Sequence, residues 1–385
     1  MIFISFFILF LTLLYAIAVF KIWQGWRKIP VFERTIPAKL STYISIIVPI
    51  RNEEKNIAHL LSNLAKQDFP SHLLEVIVID DYSEDTSYQI ANDFKNQNTQ
   101  INLQVLKAEA AKQLSNKKRS ITQAISMANG ELIVCTDGDC RVGEQWLSTL
   151  VSFYEQHKFE MISAPVALAS PKNSFQKMQV VEFASLIVSG AATLAYGYPT
   201  MANGANLAYT KTAFEKVGGF EGNLHINTGD DEFLMQKIST QYPNKVGFLK
   251  SKEAIVRTAP LASLSEFYNQ RIRWASKWKL HQSKHVAWLA FGVFSYHLLN
   301  LFAFVFLFTT FACKNLHYII ILIHFLLKFC IEFVLLADIL NFATDKKYCI
   351  YILPLQLVYS FYVVLIGILS NFVNYYWKGR TASKS

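Results

Sequence analysis

Long apolar runs near both ends of the chain enclose a more polar central stretch. The first run is Met1–Phe20, and about 20 apolar residues are enough to cross a hydrocarbon layer of roughly 30 Å. Lys21 follows directly, without a small-residue cleavage site, so we expect a retained anchor over residues 1–20. The chain has three more apolar runs near its end: Val286–Ala312, Leu316–Ala337 and Cys349–Val373. They predict a C-terminal membrane domain of about three helices over residues 286–373, followed by a tail over 374–385.

The central stretch alternates short apolar segments with amphipathic ones. The apolar segments predict strands at Tyr43–Val48, Glu75–Ile79, Asn102–Leu106 and Leu132–Thr136. The amphipathic segments predict helices that open at Asn52 as an N-cap, span Asp85–Asn96, Lys118–Ala128 and Ser174–Leu194, and run from Asp230 to Thr240. Strands that alternate with helices build right-handed βαβ units and a doubly wound sheet. The expected fold is therefore an α/β domain with a Rossmann-like sheet over residues 41–284, with ligands at the carboxyl ends of its strands.

The end of this domain has a different pattern. Residues 263–283 combine basic side chains with aromatic and aliphatic ones, including Trp274 and Trp278. A basic amphipathic helix that is rich in tryptophan is suited to a membrane interface. We expect an interfacial helix there, directly before the chain re-enters the membrane.

Composition and charge point to a membrane rather than to nucleic acid. The chain is 52% hydrophobic and only 17% charged, which is too apolar for an ordinary soluble protein. Its net charge of +9 is explained in part by a basic linker over residues 21–40, which contains Lys21, Arg27, Lys28, Arg34 and Lys39. Basic residues beside a span favour the cytoplasmic side and anionic lipid headgroups. The expected partners are therefore membrane lipids, and no nucleic acid is expected.

These charges predict a cytoplasmic central domain, an N-terminus outside and four spans in total. The basic residues of the tail oppose this topology, because four spans place Lys378, Arg380 and Lys384 outside. The alternative is that one C-terminal segment does not cross, and Val286–Ala312 is the candidate because it follows the interfacial helix directly. Lys328 and Glu332, four residues apart in the run Leu316–Ala337, are expected to form a buried structural ion pair.

Acidic clusters follow the predicted strands and open a later helix. Asp80 and Asp81 end one strand, and Asp137–Asp139 follows another across a glycine. Carboxylates in this position can bind Mg²⁺ or Mn²⁺ together with a diphosphate, whereas a solvated Asp-Gly turn or a helix cap is the structural alternative. Asp230 and Asp231 begin a helix, where the dipole stabilises acids, and adjacent carboxylates near phosphate also suit a general base.

A fourth motif lies in the interfacial helix. Gln270, Arg273 and Trp274 are spaced i, i+3, i+4 and share one helix face. An arginine for phosphate beside a tryptophan for a sugar ring makes a coherent binding surface. The alternative is a helix that only anchors at the interface with snorkelling arginines.

In this order, the motifs resemble the inverting, family-two glycosyltransferases of the GT-A fold. The likeness is to the membrane-integrated branch related to cellulose, chitin and hyaluronan synthases and to ceramide glucosyltransferase. It covers about Ser45 to Trp274, with a weaker tail at Trp377–Arg380. The resemblance implies a nucleotide-diphospho-sugar transferase domain with a mixed sheet, joined to transmembrane helices.

The resemblance also implies roles for individual residues. The opening strand and loop, with Pro49, Arg51 and Glu53, is expected to line the nucleotide pocket, together with Asp80, Asp81, Lys117 and Asp137. Asp137 and Asp139 match the metal motif, so Mg²⁺ or Mn²⁺ is the expected cofactor. Asp231 matches the catalytic base, and the residues expected near the acceptor and the diphosphate are Asp230, Gln270, Arg273 and Trp274.

The function implied is transfer of a sugar from a nucleotide sugar, with UDP the expected carrier, to a lipid or lipid-linked acceptor. The expected location is a bacterial inner membrane, with the catalytic domain in the cytoplasm. A processive polysaccharide synthase is one alternative, although three candidate spans after the domain are fewer than such synthases carry. A catalytically silent scaffold or transporter subunit is the alternative from another class, and it would neither need a metal nor bind a nucleotide.

Overall fold

A computed structural model describes residues 2–34, 40–109, 116–226, 228–277, 284–310, 316–378 and 380–382. Parts of some predicted segments lie outside the described residues. These are 35–39 of the basic linker, 278–283 of the interfacial helix, 311–312 of the first C-terminal run, and 379 and 383–385 of the tail.

The described strands build a seven-stranded mixed sheet and two small pairs. Their bounds are β1 (Ile44–Ile50), β2 (Leu74–Asp80), β3 (Leu103–Lys107), β4 (Leu132–Cys135), β5 (Met161–Ser163), β6 (Val166–Leu168), β7 (Leu207–Thr210), β8 (Val246–Phe248), β9 (Val256–Thr258), β10 (Tyr375–Trp377) and β11 (Arg380–Ala382). The main sheet has the order β3-β2-β1-β4-β7-β5-β8, and β7 runs antiparallel to both of its neighbours. The parallel group β3-β2-β1-β4 and the reversed strand confirm the expected mixed sheet.

The described α-helices surround this sheet and extend beyond it. They are α1 (Ile2–Lys28), α2 (Ile57–Ala65), α3 (Ser87–Gln97), α4 (Asn116–Met127), α5 (Trp146–His157), α6 (Ser174–Ala195), α7 (Lys211–Lys216), α8 (Asp230–Gln241), α9 (Leu264–Ser276), α10 (Lys284–Thr310), α11 (Leu316–Ala343) and α12 (Ile352–Phe372). Residues 71–73, 204–206 and 346–351 form short 3₁₀ turns.

The predicted N-cap at Asn52 is wrong, since α2 begins at Ile57. Asn52 has a positive φ of 52°. Its backbone N–H donates to Ser83 Oγ at 3.0 Å, and its side-chain oxygen accepts from the N–H of Glu84 at 2.9 Å. These bonds tie the end of β1 to the loop after β2, so this asparagine joins two loops instead of starting a helix.

Strands β5, β7 and β8 were not predicted, because each has only three or four residues. Such short segments show no measurable period of two. Strand β7 follows a polar turn at residues 204–206, and its pairing with β4 comes from tertiary contacts. This pairing brings Gly204 to the same end of the sheet as the loops after β1 and β4.

Five helical segments of the described chain are long and apolar enough to cross a membrane, judged by length and composition: residues 2–28, 174–195, 286–308, 316–343 and 346–372. Helix α6 was predicted as a helix but not as a candidate span. It carries Glu182 and packs against the protein over more than half of its apolar window. The expected ion pair inside α11 is confirmed, with 2.9 Å between Lys328 Nζ and Glu332 Oε1.

The course of α12 contradicts the predicted topology. Just before it, the hydroxyl of Tyr351 accepts from Lys177 Nζ at 3.1 Å, and Lys177 lies in the first turn of α6, which follows β6 within the sheet domain. Just after it, the N–H of Tyr376 donates to Asn269 Oδ1 at 3.1 Å, so the tail also lies against the domain. A tail that contacts the domain cannot lie on the opposite side of a membrane. The expectation of four spans with an outside C-terminus is therefore wrong, and α12, not Val286–Ala312, is the segment that starts and ends beside the domain.

Candidate active site

The loops after β1 and β2 form the first side of the site, and Arg51 holds them together. Its Nη1 donates to the backbone oxygens of Asp81 and Tyr82, the former at 2.9 Å, and its Nη2 lies 2.9 Å from the Glu84 carboxylate. Its Nε donates to the backbone oxygen of Lys378 at 2.9 Å. Arg51 is buried and its guanidinium is engaged by protein oxygens, so it orders these loops at the border of the cavity.

The two aspartates at the end of β2 are buried, with exposed fractions of 5% and 3%. One oxygen of Asp80 accepts from the N–H of Ser83 at 3.2 Å. The other oxygen, Oδ1, has no hydrogen-bond partner among the described residues. A buried acceptor of this kind is costly unless a ligand supplies a donor. Asp80 thus keeps an unmet acceptor at the end of β2, and Asp81 is the one of the two that lines the cavity.

Pro49 and Glu53 lie on the same side as these aspartates. Pro49 lines the cavity at the end of β1. Glu53 is buried, forms an ion pair with Lys378 and accepts from the side-chain amide of Asn56 at 2.8 Å. Burial raises the pKa of Glu53, and nearby Asp139 adds to this effect while Lys378 opposes it. The tail thus contributes a cation to the predicted nucleotide pocket.

The Asp137–Asp139 turn follows β4 and packs tightly beneath this pocket. A Cβ on Gly138 would lie 2.9 Å from Ile50 Cγ2 and 3.1 Å from Glu53 Cγ, so no larger residue fits without a shift. Asp139 Oδ2 accepts from the Thr258 hydroxyl at 3.1 Å. The glycine lets both carboxylates reach the cavity.

Lys117 connects this turn to the acids of α8. Its Nζ lies 3.1 Å from Asp137 Oδ1 and 3.1 Å from Asp230 Oδ2. Burial alone would lower the pKa of Lys117, but the two carboxylates outweigh it and raise the pKa well above its usual range. The predicted donor-side and base-side acids are therefore joined by one ammonium group.

The carboxylates of the turn fit a divalent cation that is shared with a substrate. In the described part of the chain, no group of three or more His, Cys, Asp or Glu side chains is arranged to hold a metal ion by itself. Mg²⁺ commonly uses one or two carboxylates, waters and substrate phosphates. Asp137, which is 37% exposed, and Asp139 supply such an incomplete ligand set.

The acids that open α8 have contrasting environments. Gly229, at φ 73°, starts the helix, and a Cβ there would lie 2.7 Å from the Phe233 ring. Burial would raise the pKa of Asp230, but Lys117 outweighs it and lowers the pKa. Burial raises the pKa of Asp231, and Asp230 adds to the rise although Lys277 opposes it. Pairs whose pKa values are pushed apart are typical of acid–base sites.

Asp231 is held by backbone groups. Its Oδ2 accepts from the N–H of Gly204 at 3.0 Å, and its Oδ1 accepts from the N–H of Glu232 at 2.8 Å. Lys277 forms its salt bridge with Glu232, at 2.9 Å, and not with Asp231. The carboxylate is fixed in orientation and lines the cavity.

Helix α9 places the Gln270–Trp274 motif on the opposite wall. Ser263 and Glu266 form a capping box that fixes the start of the helix. Gln270, Arg273 and Trp274 all line the cavity that contains the acids, as their shared face predicts. The Trp274 ring packs 6.2 Å from the ring of Phe183 on α6, between ring centroids.

Arg271, inside the motif, borders the same cavity and forms a buried ion pair with Glu182 of α6. Its Nε donates to Glu182 Oε1 at 2.9 Å, and its guanidinium lies 4.3 Å from the Trp274 ring centroid. The hydroxyl of Tyr362 on α12 also donates to Glu182, at 3.2 Å. The motif helix is thereby attached to two of the long apolar helices.

One cavity of about 1660 Å³ joins these parts. It runs from the carboxylates of Asp137, Asp139 and Asp231 to apolar side chains of α1, α6, α10 and α12. This is larger than the roughly 300–1,000 Å³ of a typical small-molecule site. The predicted site residues therefore face a space that continues between the candidate membrane helices.

Some residues of the site were not predicted. Glu182 had a usable signal, because a carboxylate in an otherwise apolar helix requires a partner. Gly204, Lys277 and Lys378 had none, since their roles arise from contacts between distant segments.

Comparisons with known proteins identify the family and the fold of the chain. The family model for Glycosyl transferase family 21 matches residues 6–383. The poly(ribitol-phosphate) beta-N-acetylglucosaminyltransferase TarS of Staphylococcus aureus is 36% identical over 118 residues, which are 31% of this chain and 20% of that protein. The beta-monoglucosyldiacylglycerol synthase of a Nostoc species is 25% identical over 245 residues, which are 63% of this chain and 50% of that protein. The chain thus spans between a fifth and a half of the length of these relatives.

A solved structure, the mannosyltransferase PcManGT from Pyrobaculum calidifontis in complex with GDP-Man and Mn²⁺, has the same fold. It aligns with a TM-score of 0.58 and 19% identity, and covers 92% of this chain and 98% of that one. The GT-A-like fold that the motifs implied is thereby confirmed. The chain is a glycosyltransferase, and it belongs to glycosyl transferase family 21, which is related to the family-two enzymes that its motifs resemble.

Proposed function

We propose that this protein is an inverting, membrane-bound enzyme that moves a sugar from a nucleoside-diphosphate sugar, with UDP as the expected carrier, to a hydroxyl group of a lipid or lipid-linked acceptor. The observation that carries the proposal is the single cavity that joins Asp231 and the Asp137–Asp139 turn to the candidate membrane helices. A lipid acceptor needs such continuity, because its headgroup must reach the acids while its chains stay in the bilayer. The Nostoc relative, by its name a glucosyldiacylglycerol synthase, is consistent with a lipid acceptor.

In the proposed reaction, the donor base and ribose lie against Pro49, Asp80 and Asp81, with the loops ordered by Arg51. Asp137 and Asp139 would hold a divalent cation, which would offset negative charge on the departing diphosphate. Mn²⁺ or Mg²⁺ is proposed because the turn offers two carboxylates and because a structure of the same fold contains Mn²⁺.

Asp231 takes the proton from the acceptor hydroxyl while the oxygen of that hydroxyl attacks the anomeric carbon of the donor sugar. The attack comes from the face opposite the diphosphate, so the configuration of the sugar is inverted. The bonds from Gly204 and Glu232 hold the base in place, and its raised pKa improves it as a proton acceptor. Arg273 faces the phosphates, and Trp274 bounds the acceptor site beside Gln270 and Asp230.

For location, we propose a bacterial cell membrane with the sheet domain in the cytoplasm. Arg34 of the basic linker pairs with Asp68 of the domain at 2.7 Å, and Lys378 of the tail pairs with Glu53. Both agree with the excess of positive charge on cytoplasmic segments. Crossings by α1, α10 and α11 satisfy this arrangement, with α12 remaining on the domain side.

The test uses the purified full chain in detergent with a panel of nucleotide sugars. Nucleoside diphosphate release is measured with and without hydroxyl lipids, namely diacylglycerols and ceramides, and the product is examined for chain length. One sugar per lipid supports the proposal. A ladder of products would show a processive synthase, and no dependence on any nucleotide sugar would refute an active transferase.

A further inference from the structure

The part of the cavity that lies between α1, α6, α10 and α12 has no role in the proposed chemistry. We infer that this groove binds a hydrocarbon chain of the acceptor lipid and so positions the acceptor hydroxyl at Asp231. The inference rests on the proposed function and adds a second binding site to it. Four observations carry it: the lining of the groove, its charge balance, its length and an open position at Gly292.

The lining of the groove is apolar and comes from four different helices. Leu14 and Ala18 lie on α1, Ile187 on α6, Val293 on α10 and Ile366 on α12, and all of them border the same cavity as the acids. Apolar walls of this kind exclude a free nucleotide or sugar and favour an apolar occupant. The continuity with Asp231 identifies this occupant as part of the substrate that receives the sugar.

The charged cluster that borders the middle of the groove is already compensated within the protein. Glu332 accepts from the Tyr15 hydroxyl at 2.7 Å and pairs with Lys328 at 2.9 Å. Gln356 contacts both members of this ion pair. The groove therefore presents no uncompensated charge from this cluster, and an ionic ligand gains nothing from it.

The length of the groove fits a lipid chain of one membrane leaflet. Its border on α1 extends from Leu11 to Ile22. Eleven residues of α-helix rise by about 16 Å, at roughly 1.5 Å per residue. This is about half of a hydrocarbon core of roughly 30 Å. A chain that enters beside the sheet domain would end near the middle of the bilayer.

The glycines of α10 and α12 define where the groove is closed and where it is open. A Cβ on Gly367 would lie 2.6 Å from the Phe294 ring, so the two helices touch there and close one side. Around Gly292, in contrast, an added Cβ meets no atom within 4 Å, and this glycine borders the cavity. A bulky residue at 292 is thus tolerated by the helix and projects into open space at the groove.

The experiment compares Gly292→Phe with Val305→Phe, which adds a ring to the same helix at an exposed position outside the cavity. Each variant is assayed with dioctanoyl and dioleoyl glycerols and with short- and long-chain ceramides, together with lipid-independent donor hydrolysis. For Gly292→Phe we expect the KM of the long-chain acceptor to rise roughly tenfold or more, which corresponds to losing the burial of about two methylene groups. The KM of the short-chain acceptor and the rate of donor hydrolysis should be unchanged in this variant. The Val305→Phe variant should behave like the unaltered protein in all of these assays.

An equal change in the KM of short-chain and long-chain acceptors, or no change for either, would overturn the inference that the groove binds an acceptor chain. If Gly292→Phe does not fold, Ala18→Phe on the opposite wall makes the same comparison. If the unaltered protein transfers sugar to a lipid and neither Gly292→Phe nor Ala18→Phe has an effect, only the role of the groove is refuted. Failure of the unaltered protein to transfer sugar to any of these lipids refutes the acceptor proposal and the groove together.

Discussion

The ion pair between Arg271 and Glu182 gives a stability prediction that can be worked out from the structure. The exposed fractions of the two residues are 4% and 3%, and Nε and Oε1 are 2.9 Å apart. Arg271→Met removes the cation and leaves the carboxylate of Glu182 buried, with the Tyr362 hydroxyl as its remaining described donor. The variant therefore isolates one uncompensated charge between α6, α9 and α12.

Breaking a buried pair from one side costs about 3–5 kcal/mol, whereas replacing both partners with apolar residues is often neutral. We therefore expect Arg271→Met and Glu182→Met each to be destabilised by roughly that amount. The double variant Arg271→Met/Glu182→Met should recover most of it, because neither charge is then left alone. Thermal unfolding of the four proteins in one detergent measures the coupling between the two sites.

The double variant also tests whether the pair positions Trp274. The guanidinium lies 4.3 Å from its ring centroid, and such contacts are worth about 0.5–2 kcal/mol. The stable double variant should thus bind donor normally but show an acceptor KM raised roughly two- to thirtyfold. Full activity in the double variant would refute the positioning role, and additive losses of stability would refute the buried-charge reasoning.

Further predictions concern the chemistry and the topology. Asp231→Asn should keep donor binding, measured by calorimetry, but its transfer rate should fall by a factor of about 10²–10⁴. Because the pKa of Asp231 is raised, the transfer rate of the unaltered protein should begin to fall, as the pH is lowered, at a higher pH than an ordinary aspartate would give. Asp139→Asn should fold and insert but show no response of activity to Mg²⁺ or Mn²⁺ at any concentration, and near-normal turnover would contradict its metal role. Trp274→Phe should raise the acceptor KM, at a cost of about 1–3 kcal/mol for a lost hydrogen bond and reduced stacking, and leave the donor KM unchanged. A cysteine placed after Ser385 should resist impermeant labels in intact cells, and ready labelling would restore a topology with four spans.

The acidic motifs were predictable because their positions follow from local pattern. Val76–Ile79 and Leu132–Val134 are continuous apolar segments, and such segments form strands that are buried on both faces of a parallel sheet. Strands β2 and β4 both run parallel to β1 and end at the same edge of the sheet, so Asp80 and Asp137 were expected at that edge. Only the apolar runs and the sequence positions of the acids were needed.

The contacts that complete the site were not predictable in this way. The side chain of Arg51 binds backbone oxygens in two distant segments, and backbone oxygens carry no sequence signal. Helix α12 has the length and hydropathy of a span, and only its end contacts, through Tyr351 and Tyr376, show that it stays beside the domain. Length and composition cannot separate a helix that crosses a membrane from one that returns to the same side.

The ion pairs of the site distinguish its acids from one another. Asp137 and Asp230 share Lys117, and the other paired carboxylates of the site are Glu53 with Lys378, Glu84 with Arg51, Glu182 with Arg271 and Glu232 with Lys277.

Among the described residues, no salt bridge reaches Asp139 or Asp231, which accept instead from the Thr258 hydroxyl and the Gly204 N–H. Neutral donors orient a carboxylate without cancelling its charge, so these two acids keep the charge that a cation or a proton requires. The family resemblance assigns the base to Asp231, and it assigns the metal to Asp139 together with Asp137, which shares Lys117. We therefore expect Asp139 to be the more available carboxylate of the turn for a cation, and Asp231 the more available carboxylate of α8 for a proton.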